Sequence, residues 1–138
     1  MKDPHEVEHV MADKPERYVP DVYPNEHVFA EERNRLGALL LVPKSFNASY
    51  GALPYKDKRP HYNSQNLLAR TFTDEGYDHN PKFLGYWERS GLPFESVAEF
   101  GKDALQGRQA LYRDLAAEVW SVERFELKGS ASAGAAAA

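Results

Sequence analysis

The sequence predicts an α+β domain, with two strands near the N-terminus and helices after them. Three observations carry that expectation. The segment "HEVEHVMA" places Val7 and His9 on one side and Glu8 and Val10 on the other, which is the period of a strand. The segment "ALLLVP" is an apolar run closed by Pro43, as in a buried strand. Toward the C-terminus, Leu111, Leu115, Val119 and Val122 recur at spacings of four, four and three, which makes one apolar stripe on a helix over 109–124.

The remaining elements follow from punctuation. "DKPERYVPDVYPNE" holds three prolines and reads as the loop after the first strand. "EHVFAEERNRLG" reads as a short helix with Gly37 near its stop. "KSFNASYGALPYKDKRP" reads mostly as turn, with one helical turn around Phe46 and Asn47. A helix is expected to start after Pro60, in "HYNSQNLLARTF". Another is expected in "NPKFLGYWERSG", with Asn80 as N-cap and Pro81 at the first helical position. In "SVAEF", Ser96 and Glu99 have the spacing of a capping box. Trp87 and Trp120 are expected as core anchors.

Composition bounds the function. With 138 residues, 42% of them hydrophobic, the chain fits one globular domain, expected over 1–128. "GSASAGAAAA", residues 129–138, is too poor in large apolar side chains to offset its ordering entropy and reads as a linker or tail. A structured motif so close to Met1 suggests a domain cut from a larger protein. No cysteine is present, which removes disulfides, thiolate metal sites and cysteine nucleophiles, and fits a cytoplasmic location. The longest apolar run falls far short of the roughly 20 residues of a membrane span. Net charge is −4, so nucleic acid would need a local basic patch. "YKDKRPHY" offers one, with Lys56, Lys58 and Arg59 between Tyr55 and Tyr62, and Arg70 extends it.

A Glu-His pair in a strand is ordinarily structural, because histidine is often a satisfied core residue. Here the order downstream changes the weight: a second strand and then a turn carrying Asn47. Metal-dependent phosphodiester cleavage needs a base to activate water and hard ligands for a divalent cation. An imidazole suits the first task, and a carboxylate and an amide oxygen suit the second.

Three quoted stretches carry a resemblance: "VEHVMAD", "NRLGALLLVPKSFNASYGALPYKDKRPHY" and "GRQALYRDLAAEVW". In that order and spacing, over about residues 5–125, the chain resembles the HNH (His-Me finger) nuclease domain at the C-terminus of GmrSD-type, modification-dependent restriction endonucleases. The resemblance implies a ββα-metal core with added C-terminal helices, and a metal-dependent DNA endonuclease in a restriction or anti-phage system. It implies His9 as general base, Glu8 and Asn47 as ligands of magnesium or manganese, and Lys58 at the phosphate. It also implies a nucleotide-dependent or modification-sensing N-terminal domain as partner. Three positions depart from the family pattern, the first of them Ala12, which stands where the strand motif usually has Pro and matters little. Ala38 replaces an Asn of the "LGNL" block, and Ala52 stands where many relatives carry a second Asn. His61 is a candidate substitute ligand. Ala38 and Ala52 favour the rival expectation, a nuclease-derived module that binds DNA or a partner without cutting.

Overall fold

The two expected strands pair with each other. β1 (His5–His9) and β2 (Leu39–Pro43) form a two-stranded antiparallel sheet in which His5 faces Pro43, Val7 faces Leu41 and His9 faces Leu39. A further bond from Val10 N to Ala38 O, 2.9 Å, extends the ladder. Side chains alternate across a strand. The sheet therefore turns Glu8, Leu40 and Val42 inward, while Val7 and Leu41 stand on the outer face, half exposed. The computed structural model describes residues 2–123 and 126, and the tail expected over 129–138 lies outside them.

Around this sheet lie α1 (Glu26–Arg33), α2 (Lys44–Tyr50), α3 (Tyr55–Tyr62), α4 (Leu67–Arg70), α5 (Pro81–Ser90) and α6 (Lys102–Val119), so the fold is a mixture of helix and antiparallel sheet as expected. Asn25 caps α1, its side chain accepting from Val28 N at 2.9 Å, and Asn34 closes it. α5 begins as its sequence predicts, with Asn80 accepting from Phe83 N and Pro81 at the first position. It ends at Gly91, whose φ of 63° is the left-handed conformation that suits glycine.

Four expectations are corrected. The stretch read mostly as turn holds two helices, α2 and α3. α2 is supported from outside its own segment: Asp3 accepts from Ser45 N at 3.2 Å and from the Ser45 hydroxyl, and Phe46 is buried in the core. α3 runs through Pro60 instead of starting after it; Pro60 is the sixth residue, so its missing N–H removes one bond, the one to Lys56 O. No helix starts at Ser96. α6 begins at Lys102, and Ser96 hydrogen-bonds the Asp74 side chain. Trp120 is 68% exposed, so only Trp87 anchors, donating from its indole to Leu92 O at 2.9 Å.

The main core is aromatic. Tyr62 sits at its centre, stacked on Phe46 at 5.7 Å and against Phe72 at 5.5 Å, with Phe100 beyond. A smaller cluster of Phe83, Leu92, Phe94 and Leu111 lies under α5. Arg108 joins the two regions. Its buried guanidinium lies over the Phe72 ring at 4.1 Å and donates to Thr71 Oγ1 at 2.9 Å and Leu68 O at 3.1 Å. Gly37 lets α6 come close to the turn before β2: a Cβ there would lie 2.7 Å from Gln109 N and 2.8 Å from Leu105 O.

Candidate active site

Glu8, His9 and Asn47 line one open cleft of about 310 Å³, together with Asp13, Lys14 and Arg33. The sheet register puts Glu8 and His9 at the end of β1, and α2 follows β2 directly, which carries Asn47 back over β1. The three side chains that the sequence nominated, 38 residues apart in the chain, are thus brought together.

Glu8 is 1% exposed, and its two oxygens have different surroundings. Oε1 accepts from Lys58 Nζ at 2.7 Å and from the Tyr62 hydroxyl at 3.1 Å. Oε2 is shielded from water and has no hydrogen-bond partner. A buried carboxylate oxygen left unpaired is costly and calls for a reason. The Asn47 amide is oriented by its nitrogen, which donates to Glu6 Oε2 at 3.2 Å and to Val7 O at 3.5 Å. Its oxygen is turned the other way. A Cβ built on Gly51 would lie 2.5 Å from Asn47 Oδ1 and 3.4 Å from Glu8 Oε2. A side-chain oxygen of each residue therefore borders one point, which glycine at position 51 leaves open.

His9 is half-buried, and its Nε2 lies 2.9 Å from Asn34 Oδ1. Asn34 Nδ2 donates to Ala30 O at 2.7 Å, which fixes the amide and makes Oδ1 the atom facing the imidazole. An acceptor there requires a proton on Nε2, so in the neutral ring Nδ1 keeps the free lone pair. Asn34 is not among the residues that the sequence pattern nominates. It stood at the head of the "NRLG" block, and its position just past the last turn of α1 was the available signal.

Lys58, expected at the phosphate, is fully buried. Its three ammonium protons go to Glu8 Oε1, to His9 O at 3.0 Å and to Gly51 O at 2.9 Å. It ties the strand to the loop after α2 and has no proton left for a substrate. Burial pushes the Lys58 pKa down, and the Glu8 charge pulls it back. Burial also pushes Tyr62 well up, helped by Glu8. Arg59 is largely engaged as well, donating to Phe72 O at 3.0 Å and to Asp74 at 3.3 Å. Of the expected basic patch, Lys56 is exposed and Arg70 half-buried, on α3 and α4. His61 stacks on Tyr50 at 3.9 Å between ring centres and does not line the cleft. Ala52 does line it, and Ala38 is fully buried beside β1.

The residues present fit a divalent cation of the hard kind. A carboxylate oxygen without a partner and an amide oxygen face a common cradle. Among the described residues no three His, Asp or Glu side chains form a metal-holding group. Among the described residues, no helix is long and apolar enough to cross a membrane. Comparison with known proteins gives one family, described as GmrSD restriction endonucleases, C-terminal domain, which matches residues 1–114. No curated protein and no solved structure matches the chain.

Proposed function

The chain belongs to the family of GmrSD restriction endonuclease C-terminal domains, and we propose that it is a metal-dependent, HNH-type DNA endonuclease in which β1, β2 and α2 form a ββα-metal core. The observation that supports this most is the pair of side-chain oxygens, Glu8 Oε2 and Asn47 Oδ1, bordering the space at Gly51 beside His9. These two atoms would hold magnesium or manganese. A bound ion would supply Lewis-acid polarisation of the phosphoryl oxygen and stabilise the leaving oxygen.

The chain's own residues do the rest. His9 donates a hydrogen bond from Nε2–H to Asn34 Oδ1, keeps that proton, and takes a second one from water at Nδ1; the resulting hydroxide attacks phosphorus as the P–O bond to the leaving oxygen breaks. Asn34 is a positioning residue, since it acts by fixing the ring and its tautomer. Lys58 and Tyr62 occupy Glu8 Oε1 and so leave Oε2 as the ligand atom. Of the expected patch, Lys56 and Arg70 are the cations not committed to ion pairs, and they would meet DNA. The partner domain would be the nucleotide-dependent or modification-sensing part of the parent protein, with this chain as its effector.

Manganese titration followed by electron paramagnetic resonance tests the reading. The parent chain should bind one ion, and Asn47→Ala and Glu8→Gln should each weaken that binding while near-ultraviolet circular dichroism stays native. Equal binding in all three would refute the ligand assignment. No binding by the parent, with DNA affinity retained, would favour the non-cutting module.

A further inference from the structure

Internal pairing consumes much of the basic stretch around Lys58 and Arg59, so the charge that meets a polyanion must lie elsewhere. A second cleft, of about 400 Å³, opens between α4 and α5. Arg70 and Lys82 line it with Gln65, Asn80 and Tyr86, and Phe83 forms part of its apolar wall. No carboxylate lines it, in a chain whose net charge is −4. Neither cation takes part in an ion pair among the described residues. The Nε of Arg70 is shielded from water and has no hydrogen-bond partner. Lys82 occupies the second position of α5, where a cation opposes the positive end of the helix dipole. Tyr86 follows four residues later on the same face of that helix.

We propose that this cleft is a phosphate subsite for the nucleic-acid backbone, with Arg70 and Lys82 on the phosphate oxygens and the Tyr86 ring available to the adjoining nucleotide. A guanidinium and an ammonium without ion-pair partners, and no carboxylate in the lining, make a site that lacks only its anion. An anion between them would also relieve the unfavourable placement of Lys82. The backbone would then cross α4 and α5 in place of the region around Lys58. The inference rests on DNA as the substrate, and it adds a contact outside the cleavage cleft.

The test is fluorescence anisotropy with a labelled duplex oligonucleotide and no divalent metal, over a salt series. It compares the parent with Arg70→Gln/Lys82→Gln and with an equal-charge control, Lys2→Gln/Arg113→Gln. Both cations of the cleft are at least partly exposed, so the variant should fold, and a thermal melt verifies this. The cleft variant should bind DNA severalfold more weakly, with a salt slope shallower by about 2, one for each lost phosphate contact. The control should change neither by a comparable amount. An unchanged slope in the cleft variant, an equal change in the control, or no DNA binding by the parent would overturn the subsite. Plasmid nicking, assayed separately, keeps the two readings apart: His9-dependent nicking with an unchanged salt slope would leave the nuclease standing without this subsite. A shallower slope with no nicking would leave the subsite on a non-cutting module.

Discussion

Lys58→Met is the most informative single perturbation. In the folded chain the Lys58 and Glu8 side chains are 0% and 1% exposed, and Lys58 makes three hydrogen bonds, one to a carboxylate and two to backbone carbonyls. Methionine matches the length of the stem but removes the charge and all three donors. Glu8 is left buried as a carboxylate with only the Tyr62 hydroxyl, and the carbonyls of His9 and Gly51 lose their bond. Removing one partner of a buried pair costs about 3–5 kcal/mol, against about 0–1 kcal/mol for an exposed pair. For a chain of this size that corresponds to a fall in Tm on the order of 10–20 °C. Urea unfolding followed by Trp87 fluorescence measures the loss, and the double variant Lys58→Met/Glu8→Leu should recover much of it, since an apolar pair of similar volume no longer buries a lone charge. A cost below about 1 kcal/mol for Lys58→Met would refute the buried pair and return Lys58 to the surface role that its sequence suggests.

Three further outcomes are expected. Gly51→Ala has an acceptable φ near −58°, but its methyl group would meet both the Asn47 amide oxygen and the Asn47 carbonyl oxygen, at 2.5 and 2.6 Å, so it should displace the end of α2 and collapse manganese affinity, which calorimetric titration measures beside a thermal melt. Gly37→Ala should cost about 1–3 kcal/mol in urea melts, because its Cβ would meet the α6 backbone at Gln109 and Leu105 with little room to relax. Stability should fall as pH rises above about 10, since burial holds Tyr62 well above the ordinary tyrosine value and Tyr77 at about 12. Their unfolded forms lose protons first, so each contributes stability that is present below the unfolded pKa and lost up to the folded one. Denaturant midpoints measured at about pH 9 and about pH 11 read this, and a flat profile would contradict the burial of these rings.

What the sequence revealed was what depends on near neighbours. The strand alternation of residues 5–10, the apolar β2 and the Asn80–Pro81 start of α5 are local signals, and each element is found, although β2 is buried on one face only, with Leu41 exposed on the other. The Glu8, His9 and Asn47 grouping was legible through motif order, and the pairing of β1 with β2, followed directly by α2, brings the three to one cleft. What stayed hidden depends on distant contacts. α2 is capped by Asp3 across 42 positions, so its own segment looked like turn. Lys58 reads as one of a solvated charge run until Glu8, 50 residues away, is folded against it. Pro54 marks a break, and here it stands immediately before α3. Ser96 and Glu99 had capping-box spacing, but the helix that follows starts after Gly101, and Ser96 serves Asp74. Trp120 follows the last residue of α6, where the helix no longer carries its face toward the core.

The most direct measurement of the central claim is plasmid cleavage by the purified chain with magnesium or manganese, run beside His9→Ala and Asn34→Ala. The parent should nick or linearise the plasmid only with the cation present. His9→Ala should lose on the order of 10²–10⁴ in rate with its fold intact, because the ring acts on water and is only half-buried. Asn34→Ala should be slowed less, with an altered pH profile, because the imidazole is still present but no longer held in one tautomer. Cleavage by His9→Ala at the parent's rate, or cleavage unchanged by removal of divalent cations, would contradict the account.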